Sequence, residues 1–230
     1  MTLAQLTFDL PHRAALGAED FLVSDCNLAA VELIDSWPGW QAGVQLLIGP
    51  PASGKTHLAR VFQALSGAHA LEPSALDIGL IETIGGGAPL IAEDADRGTY
   101  DEQALFHLLN LAREKSLYVL ITARSAPRNW GIALPDLISR LQAVPAVEIG
   151  APDEALLKTV LLKQFADRQL KVEPKVLEFL ALNIDRSLAA AAAAVEAVDR
   201  LALATGRKIN RQLVTEVLAA CGAPEETGLA

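Results

Sequence analysis

Val44-Gln-Leu-Leu-Ile48 runs directly into Gly49-Pro-Pro-Ala-Ser-Gly54-Lys55-Thr56, and behind it Leu58, Val61, Phe62 and Leu65 recur at helical spacing. A pentapeptide that is apolar apart from Gln45 reads as a strand buried on both faces. The octapeptide matches the phosphate-binding loop pattern, and it stands where that loop works, between a strand and a helix. Gly49 and Gly54 let the backbone curl towards an anion, with Pro50, Pro51, Ala52 and Ser53 forming the arc between them. The helix N-terminus adds positive dipole. In such a loop Lys55 neutralises the β- and γ-phosphates and the Thr56 hydroxyl ligates Mg²⁺, with His57 next in the chain. The expected ligand is therefore the phosphate chain of a nucleotide, with Mg²⁺.

Outward from the loop, strand and helix patterns alternate. A helical pattern at 25–36 is broken by Trp37-Pro-Gly-Trp40. Residues 89–92 form a second apolar run, 101–115 a helix, 117–122 a third strand and 146–149 a fourth. That alternation predicts an α/β fold, a parallel sheet with helices on both faces. Past Pro152 the pattern is helical only, over 153–169, 174–183, 186–205 and 210–221, with Asp153 as a cap and Gly206 as a stop. Six consecutive alanines after Leu188 suggest close helix packing there. The expected organisation is a flexible arm at 1–18, an α/β nucleotide-binding domain at 19–150, a small all-α lid domain at 151–222 and a tail at 223–230.

The composition supports a folded chain. Of 230 residues, 51% are hydrophobic and 20% charged, which excludes disordered and low-complexity classes. A net charge of −9 disfavours a broad nucleic-acid footprint or an anionic membrane surface, so no direct sequence-specific DNA binding is expected. Cys26 and Cys221 alone make neither a disulfide framework nor a zinc site. No apolar run approaches a membrane span, and the N-terminus does not resemble a secretory signal, so a cytoplasmic location is expected.

Several side chains are placed to serve the loop. Glu93 and Asp94 end the second strand, where a carboxylate is needed to hold Mg²⁺ and orient water; Glu93 comes first and is set beside Thr56 as metal ligand, with Asp94 the open alternative. Thr122, at the tip of the third strand, is the candidate contact for the γ-phosphate or water, with Arg124 an alternative between site and solvent. Arg140 stands just before the last strand, where a guanidinium can reach a nucleotide on a neighbouring molecule. Arg186 opens the long helix of the second domain and could fold over bound phosphates. The four histidines are dispersed without metal spacing, and Arg207-Lys208 with Arg211 reads as a solvated cluster.

Three stretches carry a resemblance: Gly54-Lys-Thr-His-Leu58, Phe21-Leu-Val-Ser-Asp-Cys-Asn27 and Leu134-Pro-Asp-Leu-Ile-Ser-Arg-Leu141. They resemble the DnaA family of AAA+ proteins over about residues 5–220, and within it the shorter Hda-type regulators most of all. The resemblance implies an AAA+ domain with a helical lid and an adenine-contacting segment at Phe21, Val23 and Asn27. It implies a trans-acting arginine finger at Arg140 and a lid sensor at Arg186. It also implies that Arg124 stands where the initiator has an acidic or polar residue, and that Glu93-Asp94 departs from the usual order of the acid pair.

On the arm, Gln5-Leu6-Thr7-Phe8-Asp9-Leu10 looks like the peptide by which bacterial proteins dock on the replication clamp. Gln5 would supply the amide, and Leu6, Phe8 and Leu10 would fill an apolar cleft. The implied function is negative regulation of replication initiation, through more hydrolysis on the initiator than turnover by the chain itself. The implied partners are DnaA, the sliding clamp (the β subunit of DNA polymerase III) and a second copy of the chain in a homodimer. The alternatives are a self-hydrolysing AAA+ helicase loader or transposition helper, and an ADP-locked clamp adaptor.

Overall fold

The computed structural model describes residues 21–72 and 88–221, with Leu76 and Gly79 between them. The docking-peptide residues Gln5, Leu6, Phe8 and Leu10 lie outside the described residues. The chain divides into two compact units, Met1–Gly150 and Ala151–Ala230.

The first unit contains α1 (Leu28–Asp35), β1 (Val44–Ile48), α2 (Lys55–Ser66), β2 (His69–Ala70), β3 (Leu90–Ala92), α3 (Glu102–Glu114), β4 (Val119–Ala123), α4 (Pro135–Gln142) and β5 (Ala146–Glu148). The five strands form one parallel sheet in the order β2-β3-β4-β1-β5. Side chains alternate across a strand, so each strand feeds two cores. Leu46, Ile48, Val119 and Ile121 pack with Ala104, Leu105, Leu108 and Ala112 of α3 and Leu137 and Leu141 of α4. Leu47, Leu120 and Ile91 point the other way, into Ala30, Val31 and Ile34 of α1 and Leu58 and Phe62 of α2. This double burial is why the central strands read as unbroken apolar runs.

Differences from the sequence expectations have local causes. The third strand begins at Val119 and ends at Ala123, where its partner β1 also ends, Ile48 facing Ala123. The fourth, β5, is an edge strand with Ala146 and Glu148 exposed, which weakens its apolar signal. The helix α4 has no counterpart in the helical expectations. Pro135 sits at its first turn, where the ring's fixed φ suits a helix start, although a proline reads as a breaker.

The second unit is all helical: α5 (Glu154–Asp167), α6 (Pro174–Asn183), α7 (Leu188–Thr205) and α8 (Arg211–Cys221). Its core joins Leu161, Phe165, Leu180, Val195, Val198, Leu213 and Val214. Ala191 and Ala194 are buried, and their small side chains let neighbouring helices approach α7. Asp153 Oδ1 accepts the Leu156 N–H at 2.7 Å to cap α5, and Gly206 closes α7 in the left-handed region at φ 64°. The helix expected from 186 starts two residues later, because extended Ser187 caps it through the Ala190 N–H at 3.0 Å. Arg186 therefore precedes the cap. Arg207 pairs with Glu216 through two bonds of 2.8 and 2.9 Å. Among the described residues, no helix is long and apolar enough to cross a membrane.

Candidate functional site

The loop from Gly49 to Gly54 leaves the C-terminal end of β1. Gly49 N–H donates to Ala123 O at 3.1 Å, tying the loop's first residue to the end of β4. Ala52 at φ 59° and Gly54 at φ 98° turn the chain through the left-handed region. Space is short at both glycines: a Cβ on Gly49 would meet Ser53 Oγ at 2.6 Å, and one on Gly54 would meet Phe21 Cε2 at 2.5 Å. The first intrahelical bond of α2 runs from Leu58 N–H to Gly54 O at 3.0 Å, which leaves first-turn amides to an outside acceptor.

Lys55 is buried, and its ammonium donates to Gly49 O at 2.7 Å and Pro50 O at 3.0 Å. One of its three protons is left for a ligand. Burial pulls its pKa below the ordinary lysine value; the Asp94 carboxylate opposes that, the Arg124 charge adds to it, and Asp96 and Glu93 oppose it more weakly. Ser53 Oγ is buried without a hydrogen-bond partner among the described residues, a polar atom inside the curl of the loop. A glycine cradle, a buried cation and a spare hydroxyl suit a phosphate chain. The exposed Thr56 hydroxyl and the Glu93 carboxylate have no hydrogen-bond partner among the described residues. No group of three His, Cys, Asp or Glu side chains gathers into a metal site among the described residues. Thr56 and Glu93 carry oxygen donors of the kind Mg²⁺ takes.

The two acids of the second strand differ in their company. Asp94 takes a left-handed backbone at φ 50°, and its N–H donates to Thr122 Oγ1 at 3.0 Å, which fixes the buried Thr122 hydroxyl at the strand tip. Asp94 Oδ2 pairs with Arg97 at 3.6 Å and with Arg124 at 3.7 Å. Asp96, which the sequence expectations omitted, accepts the Arg124 N–H at 2.9 Å and lies 3.4 Å from the Ser125 hydroxyl. Tyr100, also omitted, places its hydroxyl 3.3 Å from both Leu71 O and Glu93 O. Burial, then the Glu93 charge, pushes its pKa up to about 12. An acid two residues beyond a pair and a tyrosine two residues beyond a glycine carry little motif signal.

The segment ahead of α1 folds against the loop. Phe21 stacks on His57, ring centroids 5.0 Å apart, and rests on Gly54. Val23 is buried. Asn27 is committed to the turn itself, Oδ1 accepting Ser24 N–H and Nδ2 donating to Leu22 O, both at 2.9 Å. These two bonds shape the segment and use one Nδ2 proton and one Oδ1 lone pair of the amide.

Arg140 stands at the other end of the sheet. It lines an open groove of ≈ 450 Å³ with Trp40, Gly43, Arg113, Tyr118 and Pro145, at the N-terminal ends of β1, β4 and β5. A five-residue strand puts about 15 Å between that end and the loop. Its guanidinium makes no ion pair or hydrogen bond with another described residue. Arg186 belongs to the second unit, where its charge helps hold the Glu154 carboxyl below its usual range, after the Lys158 hydrogen bond and charge.

A parallel five-stranded sheet carrying a phosphate loop between its first strand and the next helix, followed by a helical unit, defines the AAA+ P-loop fold. Solved structures share it. The chain is similar to domain III of the Thermotoga maritima replication initiation protein DnaA, at 20% identity and TM-score 0.69, covering 93% of this chain and 100% of that one. It is similar to AMPPCP-bound DnaA from Aquifex aeolicus, at 16% identity and TM-score 0.61, covering 85% of this chain and 67% of that one. The Thermotoga maritima RuvB Holliday junction branch migration motor matches at 18% identity and TM-score 0.61, with 85% of this chain and 66% of that one covered. No protein-family model and no curated protein sequence matches the chain. At these identities the likeness is one of fold.

Proposed function

We propose that this chain is an Hda-type, DnaA-related regulator that binds ADP or ATP and stimulates ATP hydrolysis by DnaA through Arg140 in trans. The observation that carries the reading is the position of Arg140. It lies one strand length from the chain's own loop, half-buried beside an open groove and without a partner among the described residues. A cation there serves a phosphate held by another molecule. An arginine supplied in this way contributes on the order of 10³–10⁵ in rate when it meets transition-state charge.

The chain's own nucleotide is a conformational switch more than a substrate. The loop amides and Lys55 bind the phosphates, Thr122 holds its hydroxyl toward the terminal phosphate or water, and the segment of Phe21, Val23 and Asn27, with His57 against Phe21, contacts the base. Thr56 and Glu93 would hold Mg²⁺, which supplies charge neutralisation. The first unit serves as the nucleotide-binding domain to residue 150, and the helices of 151–222 as a lid whose Arg186 senses the phosphates. Gln5, Leu6, Phe8 and Leu10 dock on the sliding clamp and raise the effective concentration of the chain near DnaA, with no new contact to DnaA required.

The test is hydrolysis by DnaA preloaded with radiolabelled ATP, with clamp on DNA and this chain as wild type or Arg140→Ala. Faster loss of ATP with wild type, abolished by Arg140→Ala, is the expected result. No acceleration by either protein overturns the mechanism. One observation favours a second reading, an ADP-locked clamp adaptor: Asp94 is paired to two arginines, which removes one acid from hydrolytic work. Tight clamp binding with unchanged DnaA hydrolysis would select it.

A further inference from the structure

In a parallel sheet each crossover helix ends where the next strand begins, so the last turns of such helices gather at the strands' N-terminal ends. α3 leads into β4 and α4 into β5, and β1 lies between those two strands. Arg113 stands in the last turn of α3 and Arg140 in the last turn of α4. Both line the open groove of ≈ 450 Å³, with Gly43, Tyr118 and Pro145.

The groove is set apart by its charge. Residues 1–150 carry seventeen acidic side chains against nine basic ones, yet no Asp or Glu stands among the groove's described lining residues. Arg113 is exposed and, like Arg140, makes no hydrogen bond or ion pair with a described residue. The helix macrodipole favours a cation in a last turn, but that attraction uses none of the guanidinium's five N–H donors. A cleft lined by one sign of charge concentrates ions of the other sign.

We propose that this groove binds a polyphosphate, the phosphate chain of a nucleotide held by a neighbouring molecule, with Arg113 as a second ligand beside Arg140. The proposal rests on the trans reading of Arg140 and adds to it a residue and a ligand chemistry. A phosphate chain carries anionic oxygens along its length, so two guanidinium forks engage it together. A single carboxylate of a partner protein brings one charge and satisfies one fork. The groove's volume is many times the ~30 Å³ share of a water molecule, so a multi-atom anion has room.

The experiment titrates inorganic tripolyphosphate into the full chain saturated with ADP, so that the phosphate loop is occupied. The Nε–Hε resonances of Arg113 and Arg140 read the groove directly. Wild type, Arg113→Ala, Arg113→Lys and Arg140→Ala are compared, each with a thermal melt. Arg60→Ala, which removes an exposed charge on α2, is the control. Both resonances are expected to move together in wild type. Arg113→Ala should weaken tripolyphosphate by about tenfold, the loss of a charge-assisted contact, and Arg60→Ala by less than about twofold. Arg113→Lys should keep the melting temperature and recover only part of the affinity, since an ammonium meets the dipole of α3 but lacks the fork. A still Arg113 resonance, or a loss in Arg113→Ala no larger than in Arg60→Ala, would overturn the site.

Hydrolysis on DnaA at rising concentrations of this chain gives the second readout. Arg113→Ala should lower the plateau rate by about tenfold. A normal plateau reached only at higher concentration would place a partner carboxylate on Arg113 and overturn its role as a phosphate ligand. No acceleration by wild type, with tripolyphosphate still bound through Arg113, would overturn the DnaA reading and leave the anion site standing.

Discussion

The Lys55 ammonium donates to the Gly49 carbonyl at 2.7 Å, so the residue that opens α2 is folded back onto the residue that follows β1. An arriving phosphate competes for that ammonium with the loop's own carbonyls. Lys55→Ala removes the buried cation and is expected to weaken nucleotide binding at least about a hundredfold, by loss of several charge-assisted contacts. Isothermal titration with ADP checks this.

The depressed pKa of Lys55 gives a pH dependence with a definite sign. Below its folded pKa the buried lysine must carry a charge that burial disfavours, and the unfolded chain holds the proton more readily in the window up to 10.5. Where the unfolded state binds more protons, stability rises with pH, so this group's penalty is relieved as pH climbs through that window. Bound phosphate reverses the preference, so affinity falls over the same range and binding takes up protons. Calorimetry in two buffers of different ionisation enthalpy reads the uptake. Uptake that persists unchanged in Lys55→Ala would assign it elsewhere.

Arg140 and Lys55 sit at opposite ends of β1, and that separation predicts a division of effects. Arg140→Ala should abolish stimulation of DnaA hydrolysis while leaving the chain's own affinity for ADP within about twofold, because a charge some 15 Å away across the sheet is largely screened. Arg140→Lys should recover little, since a lysine lacks the planar fork. Stimulation assays and nucleotide titrations on the same preparations separate the two. Loss of ADP affinity in Arg140→Ala would mean that the guanidinium serves its own loop.

The loop and the strands around it were legible in the sequence because each rests on local chemistry. Gly49, Gly54 and Lys55 form a pattern, and Leu46 and Leu47 are apolar on both faces of a central strand. What escaped depends on partners distant in the chain. The edge strand β2 is two exposed residues and too short to show a pattern, and α4 hides behind Pro135 because Leu137 and Leu141 become a buried face only when α3 lies beneath them. Asp96 matters because the register of β3 on β4 brings it to Arg124, 28 residues away. Asn27 closes a turn with both ends of its amide, a role that depends on Ser24 and Leu22 close by in the chain.

Glu102 fastens the approach to the Arg140 helix. Its two carboxylate oxygens accept the N–H groups of Ala133 and Leu134 at 2.9 and 2.8 Å, across some thirty residues of chain. Glu102→Ala leaves two amides unpaired at the start of α4 and is expected to lower stability by about 1–3 kcal/mol. The neutral amide of Glu102→Gln keeps one acceptor oxygen and should lose about half as much. Urea titrations measure both. If the helix start positions Arg140, stimulation of DnaA falls in the same order, whereas equal activity in all three proteins would limit Glu102 to stability.

Tyr100 offers a titration that reports on the acid strand. Its hydroxyl is buried against Leu71 O and Glu93 O, and its pKa stands at about 12 against an ordinary 10.0. A group whose folded pKa is raised contributes stability that is present below the unfolded value and lost as pH climbs to the folded one. The window is therefore pH 10 to about 12. Tyr100→Phe removes the hydroxyl and should cost about 1 kcal/mol at neutral pH, the net worth of one hydrogen bond. It should also flatten the alkaline fall in stability across that window. Ultraviolet absorbance of phenolate formation gives the titration directly, and urea midpoints at pH 8 and pH 11 give the stability. Glu93 supplies part of the upward push, so Glu93→Gln should bring phenolate formation to lower pH in the folded protein. An unchanged titration in Glu93→Gln would leave the upward push to burial and to the charges of Glu72 and Asp94.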